Sequence, residues 1–338
     1  MKRILLDGNT NRYKANLHCH TNISDGTLSP EEVKEAYKNK GYSVVAYTDH
    51  DVLIGHSDLT DDKFLALNGY EIEIDGWSKD RSHKACHLCL IQREPDNLKQ
   101  VCWHREKHLF GNALKYKNQV QFDENEPDFV REHTPECINR AIQKARDNGF
   151  FVTYNHPTWS NENYEDYMRI HNMHAMEIYN YGCFVDGFDE LNHRVYDDML
   201  RGGEKIYCIG ADDNHNYHSF DSPASDSFGA YVVIFADELS YKAVTDSLFE
   251  GKFYASQGPE IYSLWYDGRV HITCSTAERV YLSTNRRAVQ CVYSVKDKPV
   301  TEATFNVSPD DKYVRVTVVD KYGKRANTNA YFIDDLTK

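Results

Sequence analysis

A chain of 338 residues that is 41% hydrophobic and 27% charged has the apolar content to bury a core, which excludes a disordered or fibrous protein. Acidic residues outnumber basic ones 52 to 39, a formal net charge of -13, so non-specific attraction to nucleic acid or to an anionic membrane is disfavoured. No run approaches the roughly 20 apolar residues of a membrane span, and the opening turns acidic at Asp7 before a signal peptide could develop, so a cytoplasmic protein is expected.

The chain first alternates short β-branched or aromatic runs with helical periodicity, the pattern of β-α units and a mainly parallel sheet. Ser29-Pro30-Glu31-Glu32 is a capping box with proline at the first helical position, Val33, Ala36 and Tyr37 follow on one face, and Gly41 stops the helix. A strand over 43–47 then runs into Thr48-Asp49-His50-Asp51. Strands are predicted over 64–67, 71–74 and 87–91. Residues 92–133 break the rhythm and read either as an inserted lid or as a surface loop.

A second unit begins at Thr134-Pro135-Glu136, places Ile138, Ala141, Ile142 and Ala145 at helical spacing, and stops at Gly149. The strand over 150–154 leads into Asn155-His156-Pro157; further strands are predicted over 175–179, 206–209 and 231–235, with a helix over 241–249. After Gln257-Gly258-Pro259 the texture changes to short alternating runs separated by turn signals, which predicts a small all-β sandwich over 256–338, after a first domain over 1–255.

Nine cysteines form an odd, scattered set, and a chain this long needs no disulfide staples, so reduced thiols are expected. Cys86 and Cys89 form a lone C-x-x-C with no second pair to complete a zinc site, and a structural role is the simpler reading.

The chemistry concentrates where apolar strands end. His18-Cys19-His20, Asp25, His50, Glu71, His83 or His87, His156 and Asp212-Asp213-Asn214-His215 each follow or flank such a run. Ligands gathered from the C-terminal ends of parallel strands converge on one rim, as in α/β barrels. Several carboxylates in one partly dry pocket repel each other unless cations sit among them, so a site with more than one metal ion is predicted. Residues at i and i+2 of a strand point the same way, so His18 and His20 can face one ion while Cys19 turns away.

These motifs, Asn16-Leu17-His18-Cys19-His20-Thr21 with Ser24-Asp25-Gly26, Tyr47 to Asp51, Gly69-Tyr70-Glu71, Cys86-His87-Leu88, Asn155-His156-Pro157 and Gly210 to His215, resemble the PHP (polymerase and histidinol phosphatase) family of metal-dependent phosphoesterases. The segment 251–259 with a β-rich tail is similar to the two-domain branch of that family, which also includes carbaryl-type ester hydrolases. The resemblance implies an α/β fold, a distorted (β/α)7-like barrel followed by the small β-sandwich. It implies two or three divalent ions (manganese, zinc or iron). His18, His20, Glu71 and Asp213 would serve one ion, Glu71, His87 and His156 a second, and Asp25, His50 and His215 a third, with Glu71 bridging. Asp213 is preferred to Asp212 because it keeps the spacing to His215. His87 is preferred to His83 because an apolar run follows it, and Glu71 is preferred to Glu73 because it follows Gly69-Tyr70.

The reaction implied is metal-assisted hydrolysis of a small phosphorylated metabolite or nucleotide, with Asp213 and His215 as candidate catalytic residues and His215 or a metal-held water as the source of the leaving group's proton. Asp49 and Asp51 are candidates to orient the imidazoles, or else to cap a loop. The arginine that phosphoesterases of this family often carry beside His-Pro is absent from Asn155-His156-Pro157-Thr158-Trp159-Ser160, and Arg81, Lys84, Arg105 or Lys107 would have to replace it. That departure supports an alternative, hydrolysis of a carboxylic ester, carbamate or amide on the same scaffold. A non-catalytic binding protein with a structural metal is the third reading. The expected partner is a small molecule, not a membrane or a nucleic-acid polymer, and the sequence leaves the oligomeric state open.

Overall fold

Two capping devices legible in the sequence start the main helices of the first half. In the computed structural model, which describes residues 2–77, 83–296 and 298–338, Ser29 caps the helix Pro30–Asn39 by accepting from the Glu32 amide at 3.2 Å, while the Glu32 carboxylate accepts from the Ser29 amide at 2.8 Å. Thr134 caps the helix Pro135–Asp147 by accepting from the Cys137 amide at 3.2 Å, and the buried stripe of Ile138, Ala141, Ile142 and Ala145 is the periodic face read from the sequence. Ser240 caps the helix Tyr241–Phe249. The helix His193–Gly202 went unread; it buries Tyr196, Met199 and Leu200.

The strands, in chain order, are β1 (Arg3–Leu6), β2 (Asn11–Asn16), β3 (Val44–Tyr47), β4 (Leu65–Trp77), β5 (His83–Gln92), β6 (Phe150–Tyr154), β7 (Ala175–Asn180), β8 (Tyr207–Ala211), β9 (Tyr231–Ala236) and β10 (Phe253–Ser256). The tail adds β11 (Ile261–Tyr266), β12 (Arg269–Ala277), β13 (Arg279–Thr284), β14 (Gln290–Tyr293), β15 (Val300–Asn306), β16 (Tyr313–Val319), β17 (Arg325–Thr328) and β18 (Tyr331–Phe332).

The first half is mixed rather than mainly parallel. β2, β3 and β4 pair in parallel, as do β6, β7 and β8, but the two runs are joined through β5, antiparallel to both β4 and β6. The segments predicted over 64–67 and 71–74 form one strand, β4, and the chain between β4 and β5 is too short for a crossover helix, so the pair is antiparallel. The sheet curls until its β8 edge returns to β9. A Cβ added to Gly210 would lie 3.3 Å from the Tyr231 carbonyl oxygen, yet no ladder joins the two strands among the described residues. The ring is therefore not closed by hydrogen bonds.

The tail is built onto this sheet. β10 pairs with β9 on one side and β17 on the other, and β16, β13 and β14 continue outward. A second sheet, in the order β1-β11-β12-β15, supplies Leu6, Leu264, Val270, Ile272 and Phe305 to one apolar cluster with Val233, Phe235, Tyr254, Val280 and Val316 of the larger sheet. The all-β half thus draws its first strand from the N-terminus and part of its core from β9 and β10. Buried Arg315 further ties it to the helix His193–Gly202 through Asp197, at 2.7 Å.

Residues 92–133 are packed rather than loose. Trp103, Ala113 and Val120 share an apolar cluster with Ile23 and Val52, the latter just after His50. Cys86 is buried in the main core and Cys89 lies against Asn155, so the C-x-x-C pair is part of the packing of β5. All nine cysteines are free thiols. Among the described residues no helix is long and apolar enough to cross a membrane.

If β1 is integral to the second sheet, Leu6→Ala should lower unfolding stability by about 2–4 kcal/mol, the usual cost of emptying a fully buried leucine site. Urea unfolding followed by circular dichroism measures it, and a loss below about 0.5 kcal/mol would mean that the first strand is dispensable.

Candidate metal centre

The ligand candidates stand on strand ends and on the turns that follow them. β2 runs into His18 and His20, whose buried rings face each other with Nε2 atoms 3.0 Å apart, while Cys19 turns into the apolar cluster with Val33 and Tyr37. His50 follows β3 and bridges in parallel to Glu71 on β4. His87 lies on β5, His156 follows β6, and Asp213 follows β8. His156 and Asp213 have φ of 26° and 53°, left-handed conformations that a non-glycine residue holds only when its surroundings impose them.

Glu71 is the centre of the arrangement. Its Oε2 lies 3.2 Å from His18 Nε2, 3.3 Å from His20 Nε2 and 3.4 Å from His50 Nδ1. Its Oε1 lies 3.2 Å from His87 Nδ1 and 3.4 Å from His156 Nε2. Asp213 Oδ1 is 3.1 Å from both His18 and His20. Asp25, nearer the surface, is 3.7 Å from His20, 3.8 Å from His50 and 3.6 Å from His215. All nine residues proposed from the sequence as metal ligands therefore meet in one place.

Three groups of donor atoms are each compact enough to surround a cation: His18, His20, Glu71 and Asp213; His20, Asp25, His50 and His215; and His50, Glu71 and His87. The first is the set that the resemblance implied. In the second, His20 joins the expected three, and in the third His50 stands where His156 was expected.

The competing candidates have other work. Asp212 accepts the amides of Phe228, Gly229 and Ala230 and the Tyr37 hydroxyl; burial pushes its carboxyl up to about 7, offset in part by those hydrogen bonds. His83 is exposed and lies 3.1 Å from Asp75. Among the described residues, neither Asp49 nor Asp51 orients an imidazole through a hydrogen bond. Asp49 accepts from the amides and hydroxyls of Thr21 and Ser24, fixing the turn that presents Asp25, and Asp51 pairs with Arg131.

The imidazole-orienting carboxylate is Glu177 on β7. One oxygen is 2.8 Å from His18 Nδ1 and the other accepts from the His156 amide at 2.9 Å. A carboxylate can only accept here, so Nδ1 of His18 carries a proton, and the neighbouring carboxylates hold the imidazole well above its ordinary range; Nε2, beside Glu71 and Asp213, is the nitrogen that would release its proton to a cation. The signal was present: Glu177 is the one charged residue of a strand that is otherwise apolar or amide-bearing, and it is completely buried. Only its sequence context, far from any histidine motif, hid it.

Burial alone would push the His20 and His87 imidazoles down, but Asp213 and Glu71 around the first, and Glu71 and Glu73 around the second, hold both up at about 10. His50 is pushed down to about 3, by burial and by the charge of His20. His20 Nδ1, His50 Nδ1 and His87 Nε2 are buried with no hydrogen-bond partner. Buried polar atoms without partners are costly, and a mixed set of imidazoles and carboxylates is the donor chemistry of zinc, iron and manganese. The residues fit a group of divalent cations.

Asp25, His50, Glu71, His87, His156, Asp213 and His215 line a cleft of about 320 Å³, with Glu73, Trp159, Asp186, Tyr217, His218 and Asp226 on its walls. None of the described residues lining it is lysine or arginine. Lys84 is engaged with Asp166 at 2.6 Å, Arg105 with Asp128 at 2.7 Å, and exposed Lys107 does not line the cleft; Arg81 lies outside the described residues.

Residues 16–172 match the family model of the PHP domain. The chain carries a PHP domain. Among solved structures, it is similar to a two-domain protein from Bacteroides vulgatus that contains a predicted PHP-like metal-dependent phosphoesterase. Identity is 16%, with 93% of this chain and 92% of that one covered, at a TM-score of 0.44. It is also similar to a putative metal-dependent phosphoesterase from Bifidobacterium adolescentis, at 16% identity over 63% of this chain and 92% of that one, TM-score 0.40. A third is an amidohydrolase from Chromobacterium violaceum with bound sulfate and no metal, at 15% identity over 60% of this chain and 87% of that one, TM-score 0.40. No curated protein matches the chain significantly.

Two outcomes test the PHP centre. Imidazoles held protonated near pH 10 must release protons before they can bind a cation, so affinity should rise with pH, by about tenfold per unit for each proton displaced. Titration calorimetry with zinc in buffers of different ionisation enthalpy measures that release. Glu177→Gln should weaken binding by about 10–100-fold while leaving the circular dichroism spectrum intact.

Proposed function

We propose that the chain is a metal-dependent phosphoesterase that hydrolyses a small phosphorylated molecule. The observation that carries this reading is the sharing of ligands: Glu71, His20 and His50 each belong to two of the three cation groups, so the ions would be neighbours lining one cleft rather than isolated structural cages. His18, His20, Glu71 and Asp213 would hold one cation, His50, Glu71 and His87 with His156 alongside a second, and Asp25, His50 and His215 with His20 a third. Bound divalent ions supply a water of lowered pKa at neutral pH and take up the negative charge that develops on phosphoryl oxygens.

The chain's own residues do the rest. Glu71 turns one oxygen to His18, His20 and His50 and the other to His87 and His156, so it can span two ions. Glu177 keeps His18 in the tautomer that faces the cluster. His215 is partly exposed at the cleft mouth; its Nδ1 lies 3.1 Å from the Asp213 carbonyl oxygen, an acceptor, so Nδ1 is protonated and Nε2 faces Asp25. There it can hold a cation or pass a proton to a departing alkoxide. Trp159 packs edge-on against His87 and His156 and closes that side of the cleft to water. The size of the cleft suits a small molecule and excludes a folded polymer.

One observation favours a second reading, hydrolysis of a carboxylic ester, carbamate or amide: the described cleft lining offers no lysine or arginine to a phosphate dianion. Manganese-loaded protein should cleave p-nitrophenyl phosphate at least tenfold faster than p-nitrophenyl acetate, read as release of p-nitrophenol. Cleavage of the acetate alone would replace the first reading by the second. One tightly held ion with no turnover of either ester would favour a binding protein.

A further inference from the structure

The segment 92–133 raises a question that the proposed reaction does not answer: why a long insertion, free of ligand candidates, is packed against the rim of the cleft. Its buried charged tie to the centre is Arg131, whose side chain is 3% exposed. One guanidinium nitrogen donates to Asp51 Oδ2 at 3.0 Å and to the Glu73 carbonyl at 2.8 Å. The other donates to Asp51 Oδ1 and, at 3.4 Å, to the Cys102 carbonyl. Asp51 follows His50 directly and has φ of 57°, a left-handed conformation that this bidentate pair helps to hold. Glu73 lies two residues beyond Glu71 on β4, so its carbonyl is fixed to the same short stretch of strand.

The same insertion grips this turn a second time. Gln100 donates to the Asp51 carbonyl and accepts from the Leu53 amide, both at 2.8 Å. Phe110 stands 5.3 Å from the His50 ring, and Val52 packs with Trp103, Ala113 and Val120. The segment after His50 is thus clamped on its charge, its backbone and its apolar side chain by residues of one insertion. A mobile lid would not place a buried ion pair at its root, because each opening would strand Asp51 without its partner.

We propose that Arg131 is a positioning residue that sets His50 and Glu71 for cation binding through Asp51 and the Glu73 carbonyl, so that the segment 92–133 is a fixed strap that completes the metal centre. This rests on the reading of the cluster as a metal centre. Lysine cannot replace the fork, because one ammonium cannot reach both Asp51 oxygens together with carbonyls on two other elements.

Cobalt(II) titration, followed by visible absorption and by metal content, tests the proposal independently of turnover. Arg131→Met and Arg131→Lys should each weaken cobalt binding by about 10–100-fold and alter the absorption band of the bound ion, with faster hydrogen exchange at residues 50–54. If Arg131→Met does not fold, the double variant Asp51→Asn with Arg131→Met leaves no stranded charge and should show the same loss. Lys99→Ala, which removes only a surface pair with Asp123 on the same insertion, should bind cobalt as the unaltered chain does. Wild-type affinity and spectrum in a folded Arg131→Met protein would overturn the proposal, as would an equal loss in Lys99→Ala. Failure of the unaltered chain to take up cobalt would overturn the metal centre itself, a result distinct from parity between the two proteins.

Discussion

A buried carboxylate must find positive charge, and the site is organised around that requirement at Glu71. Its side chain is 1% exposed and sits within 3.4 Å of imidazole nitrogens from His18, His20, His50, His87 and His156. Without a cation, the compensation falls to protonated imidazoles, which is why His20 and His87 are held far above the ordinary range against the effect of burial. Bound cations would displace those protons, and the same nitrogens would serve as ligands. In either state the cluster holds together only when the opposite charges are counted as one unit.

Behind the ligands lies a layer of carboxylates that never reaches the cleft centre. Asp49 fixes the turn carrying Asp25, Asp51 is locked to Arg131, Asp212 gathers the amides of 228–230, and Glu177 joins His18 to the His156 backbone. Each is buried and satisfied by hydrogen bonds, so each fixes the conformation of a loop next to a ligand. The strained φ values at Asp51, His156 and Asp213 fall at these points. The loops that carry the ligand candidates are thereby fixed by the fold.

The two halves of the chain share structure. β10 connects the curled sheet to the strands of the tail, and β1 crosses from the N-terminus into the second sheet, so the apolar cluster of the tail contains Leu6, Phe235 and Tyr254. Among the described residues, the tail supplies none of the atoms of the three cation groups; strand pairing, the shared apolar cluster and the Arg315–Asp197 pair tie it to the half that carries them.

Much of this could be read in the sequence. The capped helices over 30–39 and 135–147, the strands that end in polar clusters and the nine clustered residues are local patterns, and local patterns survive because capping, periodicity and strand alternation act over a few residues. The choice of Asp213 over Asp212 followed from spacing alone, since neighbouring residues in such a turn face different ways. What escaped was non-local. The antiparallel β4 and β5 looked like separate short runs, because pairing direction is decided between strands. Glu177 looked like any acid in a strand, because its partner His18 is 159 residues away.

The sequence by itself determined which residue types would gather at strand ends, and so the chemistry available to this protein. Only the tertiary structure decided which carboxylate orients an imidazole and which merely ties a loop, that His20 and His50 are shared between cation groups, and that Arg131 reaches back to Asp51. Those distinctions depend on distances of a few ångströms between residues remote in the chain, and on burial, which sets whether a charge is screened by water or must find a partner.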